Sequence, residues 1–237
     1  MPFVHDTGIR FVALPAGWAR SRLSDIQLRR TVLISTHEVT NAQYEAFVAA
    51  YEPRAASIPK GPKHAPARKA AEAFDQMIRS HKRSKAAPTD NQPVCNVTPE
   101  EAAAFCTWLT KTDPLGRKYK LPDVVEWEYA ARGGLDYKPY PWGDEIDDKK
   151  ACYAAAGPAP VGSFPPNAFG LYDMAGNVAE WVWTDDFPAY ELRGGSWRDA
   201  KPEALRVTAR GKLPEKNLVL DHHGFRVLCE PPPLKEN

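Results

Sequence analysis

The sequence predicts an α+β domain that is loop-rich, with few and short helices and strands. Three observations predict it. The 237 residues include 23 prolines, about twice average usage, and proline fixes φ and removes a donor, interrupting helix and ladder alike. Seven tryptophans supply large apolar anchors where long regular elements are missing. Strand-like runs come first, helical stretches follow, and turns with short strands and aromatics occupy the rest. At 43% hydrophobic and 26% charged residues the chain can bury an ample core. A helical bundle, a coiled coil and a disordered chain are excluded.

The stretch Ile9–Pro15 reads as a strand ended by Pro15-Ala16-Gly17, and Arg30–Ser35 as a second by its β-branched content. Thr40-Asn41 can cap the helix that follows, where Tyr44, Phe47, Val48 and Tyr51 repeat at i, i+3, i+4 and i+7. Thr98-Pro99-Glu100-Glu101 sets a capping threonine, proline at the first helical position and glutamate three residues after the cap. Phe105, Trp108 and Leu109 give that helix its apolar face. Another helix runs from Leu121-Pro122-Asp123 through Val124, Trp127 and Tyr129 to a Gly133-Gly134 stop.

Residues 52–90 interrupt this order with nine Lys/Arg and four acids, a surplus of five positive charges in a chain whose net charge is +1. Within them Ala70, Phe74, Met77, Ile78 and His81 form a helical stripe. The organisation expected is therefore one domain over residues 1–230, a basic helical insert at 52–90 and a frayed tail at 231–237. The insert reads as a surface helix packed on the domain or as an arm contacting an acidic partner. Its cations lack the interleaved aromatics of single-stranded nucleic-acid binders.

The near-neutral balance of 31 basic against 30 acidic residues gives no whole-molecule pull toward nucleic acid or anionic membrane. No apolar run approaches the roughly 18 residues needed to span a bilayer, so no membrane partner is expected. The N-terminus lacks a basic head followed by an apolar stretch. Cys95, Cys106, Cys152 and Cys229 are widely spaced and read as thiols of a reducing compartment. A cytoplasmic location is expected.

The common catalytic strings HExxH, the Walker loop, GxGxxG and GxSxG are missing. None of the six histidines forms the i, i+4 pair of a zinc helix, and His222-His223 would point in opposite directions if extended. Instead there are ordered local strings: Glu38-Val39-Thr40-Asn41-Ala42-Gln43-Tyr44; Lys120 through Gly134, containing Glu126-Trp127-Glu128-Tyr129; Tyr140-Pro141-Trp142-Gly143-Asp144-Glu145; Asn167 through Trp181, containing Gly176-Asn177-Val178; Arg193-Gly194-Gly195-Ser196-Trp197; and Gly224-Phe225-Arg226-Val227. Trp127, Trp142, Trp181 and Trp197 read as buried scaffold, and Arg193, Arg206, Arg210 and Arg226 as forks that tie loops.

These strings resemble the formylglycine-generating enzyme (sulfatase-modifying factor, FGE-sulfatase) family, over nearly the whole chain apart from the insert. The resemblance implies a C-type-lectin-like fold. In the oxidase members a cysteine pair shortly after the GGS-type string holds copper(I) and attacks the substrate thiol, and soft thiolates are what copper(I) needs. Here residues 197–206 contain no cysteine, so no copper is expected and formylglycine generation is not the expected activity. The iron-dependent sulfoxide-synthase branch, with three histidines and an N-terminal bundle, finds no counterpart either. The family's calcium loop carries over to Asp173 and Glu180 side chains with Gly176 and Val178 carbonyls, and hard oxygens suit calcium; its alternative is Glu180 salt-bridged to an arginine. A second calcium loop, near 153–157, lacks side-chain oxygens beyond Tyr153.

The leading expectation is a non-catalytic, lectin-like ligand-binding or protein-interaction module. Its surface would comprise Trp183, Arg193, Trp197, Arg198, Asp199, Arg206, Arg210, Asp221 and His222, engaging a protein or small molecule. Retroelement-diversified proteins of similar scaffold vary their loops between the corresponding strings, although only Asn217 supplies asparagine there. Two alternatives stand beside it: a metal-dependent oxidoreductase using Asp199, Asp221, His222 or His223, and an accessory subunit docking through residues 52–90.

Overall fold

The computed structural model describes residues 3–21, 25–185, 190–214 and 219–230. The expected tail at 231–237, and Asn217, lie outside them. In chain order the strands are β1 (Phe3–Val4), β2 (Arg10–Leu14), β3 (Gly17–Ala19), β4 (Ile26–Leu28), β5 (Val32–Ser35), β6 (Lys118–Lys120), β7 (Ala179–Trp183), β8 (Tyr190–Arg193), β9 (Arg210–Gly211), β10 (His223–Gly224) and β11 (Leu228–Glu230). The helices are α1 (Asn41–Ala50), α2 (Ala65–Arg79), α3 (Pro99–Thr112) and α4 (Val124–Arg132). The fold class is α+β.

One antiparallel sheet has the order β1-β2-β5-β11-β6, so the last strand lies between strands from early and middle parts of the chain. A second has the order β10-β7-β8-β9, with β10 parallel to β7. A β3–β4 ribbon completes the pairing. Three helices begin where their chemistry says they should. Thr40, Thr98 and Asp123 each accept from the N3 backbone amide, while Gln43, Glu101 and Glu126 return the bond, closing three capping boxes. Gly133 ends α4 in the left-handed region at φ 58°.

The larger core joins α1 and α3 to the strands through aromatic rings. Phe105 lies 5.6 Å from Phe47 and 5.4 Å from Phe225, ring centre to ring centre. A second core buries Trp127 with Leu14, Ile34, Leu171, Met174 and Leu228 beneath α4. Trp127 and Trp181 are buried as anchors, and half-buried Trp142 donates to the carbonyls of Pro165 and Pro166 at 3.2 Å.

The insert is helical, but it docks differently from the stripe read in the sequence. Ile78 is buried and Phe74, Met77 and His81 are half-buried, whereas Ala70 faces solvent. Asp75, off that stripe, is buried instead. Its carboxylate accepts from the Tyr51 hydroxyl and the amides of Arg54 and Ala55, all at 2.9 Å. The helix thus closes on a 3₁₀ turn (Arg54–Ser57) through one carboxylate as well as through apolar contact.

His81 packs 4.6 Å from the Tyr44 ring, and burial lowers its pKa from 6.5 to about 4, with Glu45 partly opposing. Above the unfolded value both states are neutral; as the pH falls from 6.5 toward 4 the undocked chain binds a proton that the docked one refuses. Docking stability is therefore lost over that window. Hydrogen exchange should show α2 amides less protected at pH 5 than at pH 7.5, with the difference abolished in His81→Phe.

Candidate functional site

The turn after Asp173 organises the centre of the molecule. Asp173, Gly176 and Asn177 all adopt left-handed backbone, at φ 57°, 85° and 61°. Asparagine and aspartate tolerate this region better than most side chains, but at Gly176 a Cβ would stand 2.4 Å from the Cys152 carbonyl oxygen. The turn's amides and carbonyls then gather the Arg193–Trp197 string and the chain at Cys152. Gly176 N donates to Gly194 O, Asn177 N to Cys152 O, and Trp197 N to Asn177 O, at 2.8–2.9 Å. The Asn177 side chain donates to Glu38 at 2.9 Å and accepts from Ala159 N at 3.0 Å.

Beneath the turn lies a buried ion cluster. Arg226 clasps Glu180 with Nε and Nη2, both at 2.7 Å, and donates to the carbonyls of Ser35 and Tyr172. Trp127 Nε1 donates to the same carboxylate at 2.7 Å. Glu38 accepts from Asn177 and from Val178 N. Burial, with Asp173 and Glu180 nearby, holds Glu38 well above the ordinary carboxylate range. Burial likewise pushes Asp173 up to about 6, although Gly162 N donates to it at 2.7 Å. Three carboxylates thus share one guanidinium.

Asp173 and Gly176 stand on this turn, Val178 directly follows Asn177, and Glu180 is the second residue of β7. Glu180 is salt-bridged to Arg226, so a cation would have to share its carboxylate with Arg226 and Trp127. The donor types nevertheless suit a hard cation, and the local shortage of positive charge is one that such an ion would offset.

The predicted binding residues separate into distinct places. Trp197, Arg198, Asp199, Asp221 and His222 form one cluster. Arg198 pairs with Asp221 at 2.7 Å and lies over the Trp197 ring at 4.8 Å, while His222 Nδ1 is 3.3 Å from the other Asp221 oxygen. Asp199 accepts from both the amide and the hydroxyl of Ser196 at 2.8 Å. The His222 and His223 rings meet at 4.4 Å, edge to face, and do not diverge as an extended pair would. The reason is that β10 starts only at His223, directly after a turn through Asp221 and His222. His223 is buried, its pKa lowered to about 3 by burial and then by His222, and its Nδ1 has no partner among the described residues. Among the described residues no three His, Cys, Asp or Glu side chains are grouped to hold a metal ion.

Two of the predicted surface residues are not on the surface. Arg193 is 4% exposed, paired with Glu191 at 2.5 Å and Glu128 at 3.7 Å. Trp197 is 7% exposed because it packs with Cys95, Cys152 and Val178. Trp183 is 41% exposed beside its cross-strand partner Tyr190, over a groove with Lys120 and Leu121. Arg210 is exposed near Glu191, at 3.6 Å. Arg206 stands on a separate polar cavity.

The four cysteines are all buried. Burial pushes the thiols of Cys95, Cys106 and Cys152 up, and that of Cys229 up to about 11. A nucleophilic thiol needs the opposite shift. Sequence reading gave Glu38 no role; its signal was a lone acid ahead of a capped helix in a string otherwise matched to a buried scaffold.

Comparison with known proteins places this geometry. The family model for the sulfatase-modifying factor enzyme 1-like domain matches residues 10–231. The formylglycine-generating enzyme of Thermomonospora curvata is 35% identical over 158 residues, which is 59% of this chain and 46% of that protein. The inactive C-alpha-formylglycine-generating enzyme 2 of Mus musculus is 38% identical over 157 residues, 56% of this chain and 48% of the relative. The matches thus span less than half of each of these relatives. Among solved structures, PvdO from Pseudomonas aeruginosa superposes with a TM-score of 0.72 at 25% identity, over 98% of both chains. Treponema denticola variable protein 1 shares the fold at a TM-score of 0.70 and 21% identity, over 98% of this chain and 99% of that one.

Proposed function

Because the chain belongs to the sulfatase-modifying-factor family, whose relatives include both formylglycine-generating enzymes and an inactive form, we propose that it is a non-catalytic binding module on that scaffold. The observation that supports this most is the chemistry after the GGS string. The segment that carries copper-binding thiolates in the oxidases holds Arg198 and Asp199 and no cysteine, and Asp199 is spent on capping Ser196. The surface it offers is the Arg198–Asp221–His222 cluster on the buried Trp197, a polar patch with one cation and one carboxylate in register for a zwitterionic or hydrogen-bonding partner.

Arg198→Glu tests the patch, because it reverses charge at an exposed side chain and leaves the core alone. Ligands or proteins found by a binding screen should lose at least tenfold in affinity; unchanged affinity for every hit overturns the assignment. Incubation with copper, oxygen and a sulfatase-derived cysteine peptide should leave the thiol intact, and conversion to the aldehyde overturns the non-catalytic reading. Elemental analysis addresses the oxidoreductase alternative, which requires stoichiometric iron or copper.

We also infer that calcium joins the Asp173–Glu180 segment, supported by its carboxylate and carbonyl oxygens and by the uncompensated buried charge. A calorimetric melting temperature that rises when calcium replaces chelator is the expected result. An unchanged temperature rejects the site.

A further inference from the structure

A second cavity, sharing no residue with the Arg198–Asp221–His222 cluster, has the makings of an anion site. It measures about 440 Å³ and is lined by Arg132, Tyr137, Lys138, Asp144, Arg206 and Thr208 among others. Two chain segments far apart in sequence form its walls. Val207 N donates to Pro139 O at 2.9 Å, which fixes residues 206–208 against 137–139, and Tyr137 N donates to Arg20 O at 2.9 Å.

The charges in it are unequally committed. Arg132 is 2% exposed and bound to Glu128 at 2.7 Å, and Lys138 pairs with Asp144 at 2.5 Å. Arg206 is exposed, and its guanidinium has no hydrogen bond or ion pair among the described residues. Lining cations number three against the single carboxylate of Asp144. A planar guanidinium with no internal partner, at the wall of a cationic cavity, is matched by an oxyanion, which takes two parallel N–H bonds.

Tyr137 adds a second feature. It holds φ 59°, a region in which a bulky side chain is a genuine outlier, and the residue is 49% exposed. Strain of this kind persists only when the surroundings impose it. Here the imposed geometry sets Tyr137 in the lining that Arg206 and Lys138 share.

We propose that this cavity binds a small ligand in which a carboxylate or phosphate is attached to a ring, the oxyanion meeting Arg206 and the ring meeting Tyr137. The site is independent of the binding patch assigned above. Whatever the outcome at Arg198, it stands or falls separately.

Calorimetric titration with phenyl phosphate, inorganic phosphate and phenol tests it. Phenyl phosphate should bind at least tenfold more tightly than either half alone. Arg206→Gln should weaken phenyl phosphate and inorganic phosphate at least tenfold, with an unchanged melting temperature confirming the fold. Tyr137→Ala should weaken phenyl phosphate and leave inorganic phosphate as it was. Lys82→Gln, which removes an exposed insert cation, should change none of them. The proposal is overturned if wild-type protein binds none of the probes, if Arg206→Gln binds as wild type, or if Lys82→Gln weakens binding as much as Arg206→Gln. Benzoate in place of phenyl phosphate distinguishes a carboxylate site from a phosphate site by which of the two binds more tightly.

Discussion

Replacement of Arg226 by methionine should leave little folded protein. The guanidinium is fully buried, and it serves Glu180 twice, Ser35 O and Tyr172 O. Removing one partner of a buried ion pair costs about 3–5 kcal/mol, because the other charge stays behind without compensation. Here the Glu180 carboxylate stays behind, with Asp173 and Glu38 buried near it. Two carbonyls also lose their donor, at about 1 kcal/mol or more each. A domain of this size has about 5–15 kcal/mol in total, so urea unfolding should show a midpoint near zero denaturant or no transition. Glu180→Gln should be markedly milder, since it removes one of the competing negative charges and retains an acceptor for Trp127 Nε1 or Arg226. If the two variants are equally destabilised, charge imbalance is not what governs this cluster.

Gly176→Ala should be the second severe change. At φ 85° the left-handed backbone alone costs an L-residue about 1–2 kcal/mol. The new methyl would also stand 2.4 Å from a carbonyl oxygen whose own chain is held by Asn177 N. A backbone atom in that position yields only by moving the whole 152–157 segment, so overpacking adds about 1–3 kcal/mol. Denaturant titration should show a total loss of about 2–5 kcal/mol. Gly170→Ala makes a useful contrast, because φ is 77° there and nothing lies within 4 Å of the position its methyl would take; it should show the backbone cost alone.

Local chemistry was legible in the sequence, and long-range pairing was not. The caps at Thr40 and Thr98 and the Gly133 stop each depend on a few adjacent residues, so their side chains announce them. The proline and tryptophan content likewise told of short elements on aromatic anchors. The ordered strings pointed to the family. The sequence offered Glu180 two fates, calcium or an arginine, and could not name which arginine, because Arg226 lies 46 positions away. Nor could it separate Arg193 from Arg206. Both follow the same reading as loop-tying forks, yet one is sealed between Glu191 and Glu128 and the guanidinium of the other meets no partner among the described residues. Ala70 and Asp75 show the same limit within one helix. Periodicity found the face but could not see that a carboxylate would be more deeply placed than the alanine five positions before it.

The position of β11 carries a consequence for biosynthesis. Residues 228–230 bridge β5 and β6, so a ribosome must emit nearly all of the described residues before that sheet can close. Until then the facing edges of two strands stay open, and contacts across about two hundred residues are slow to form. Nascent copies should therefore depend on chaperones late in translation, and a strand-eleven deletion should accumulate as aggregate while leaving the early hairpin of β1 and β2 competent to pair.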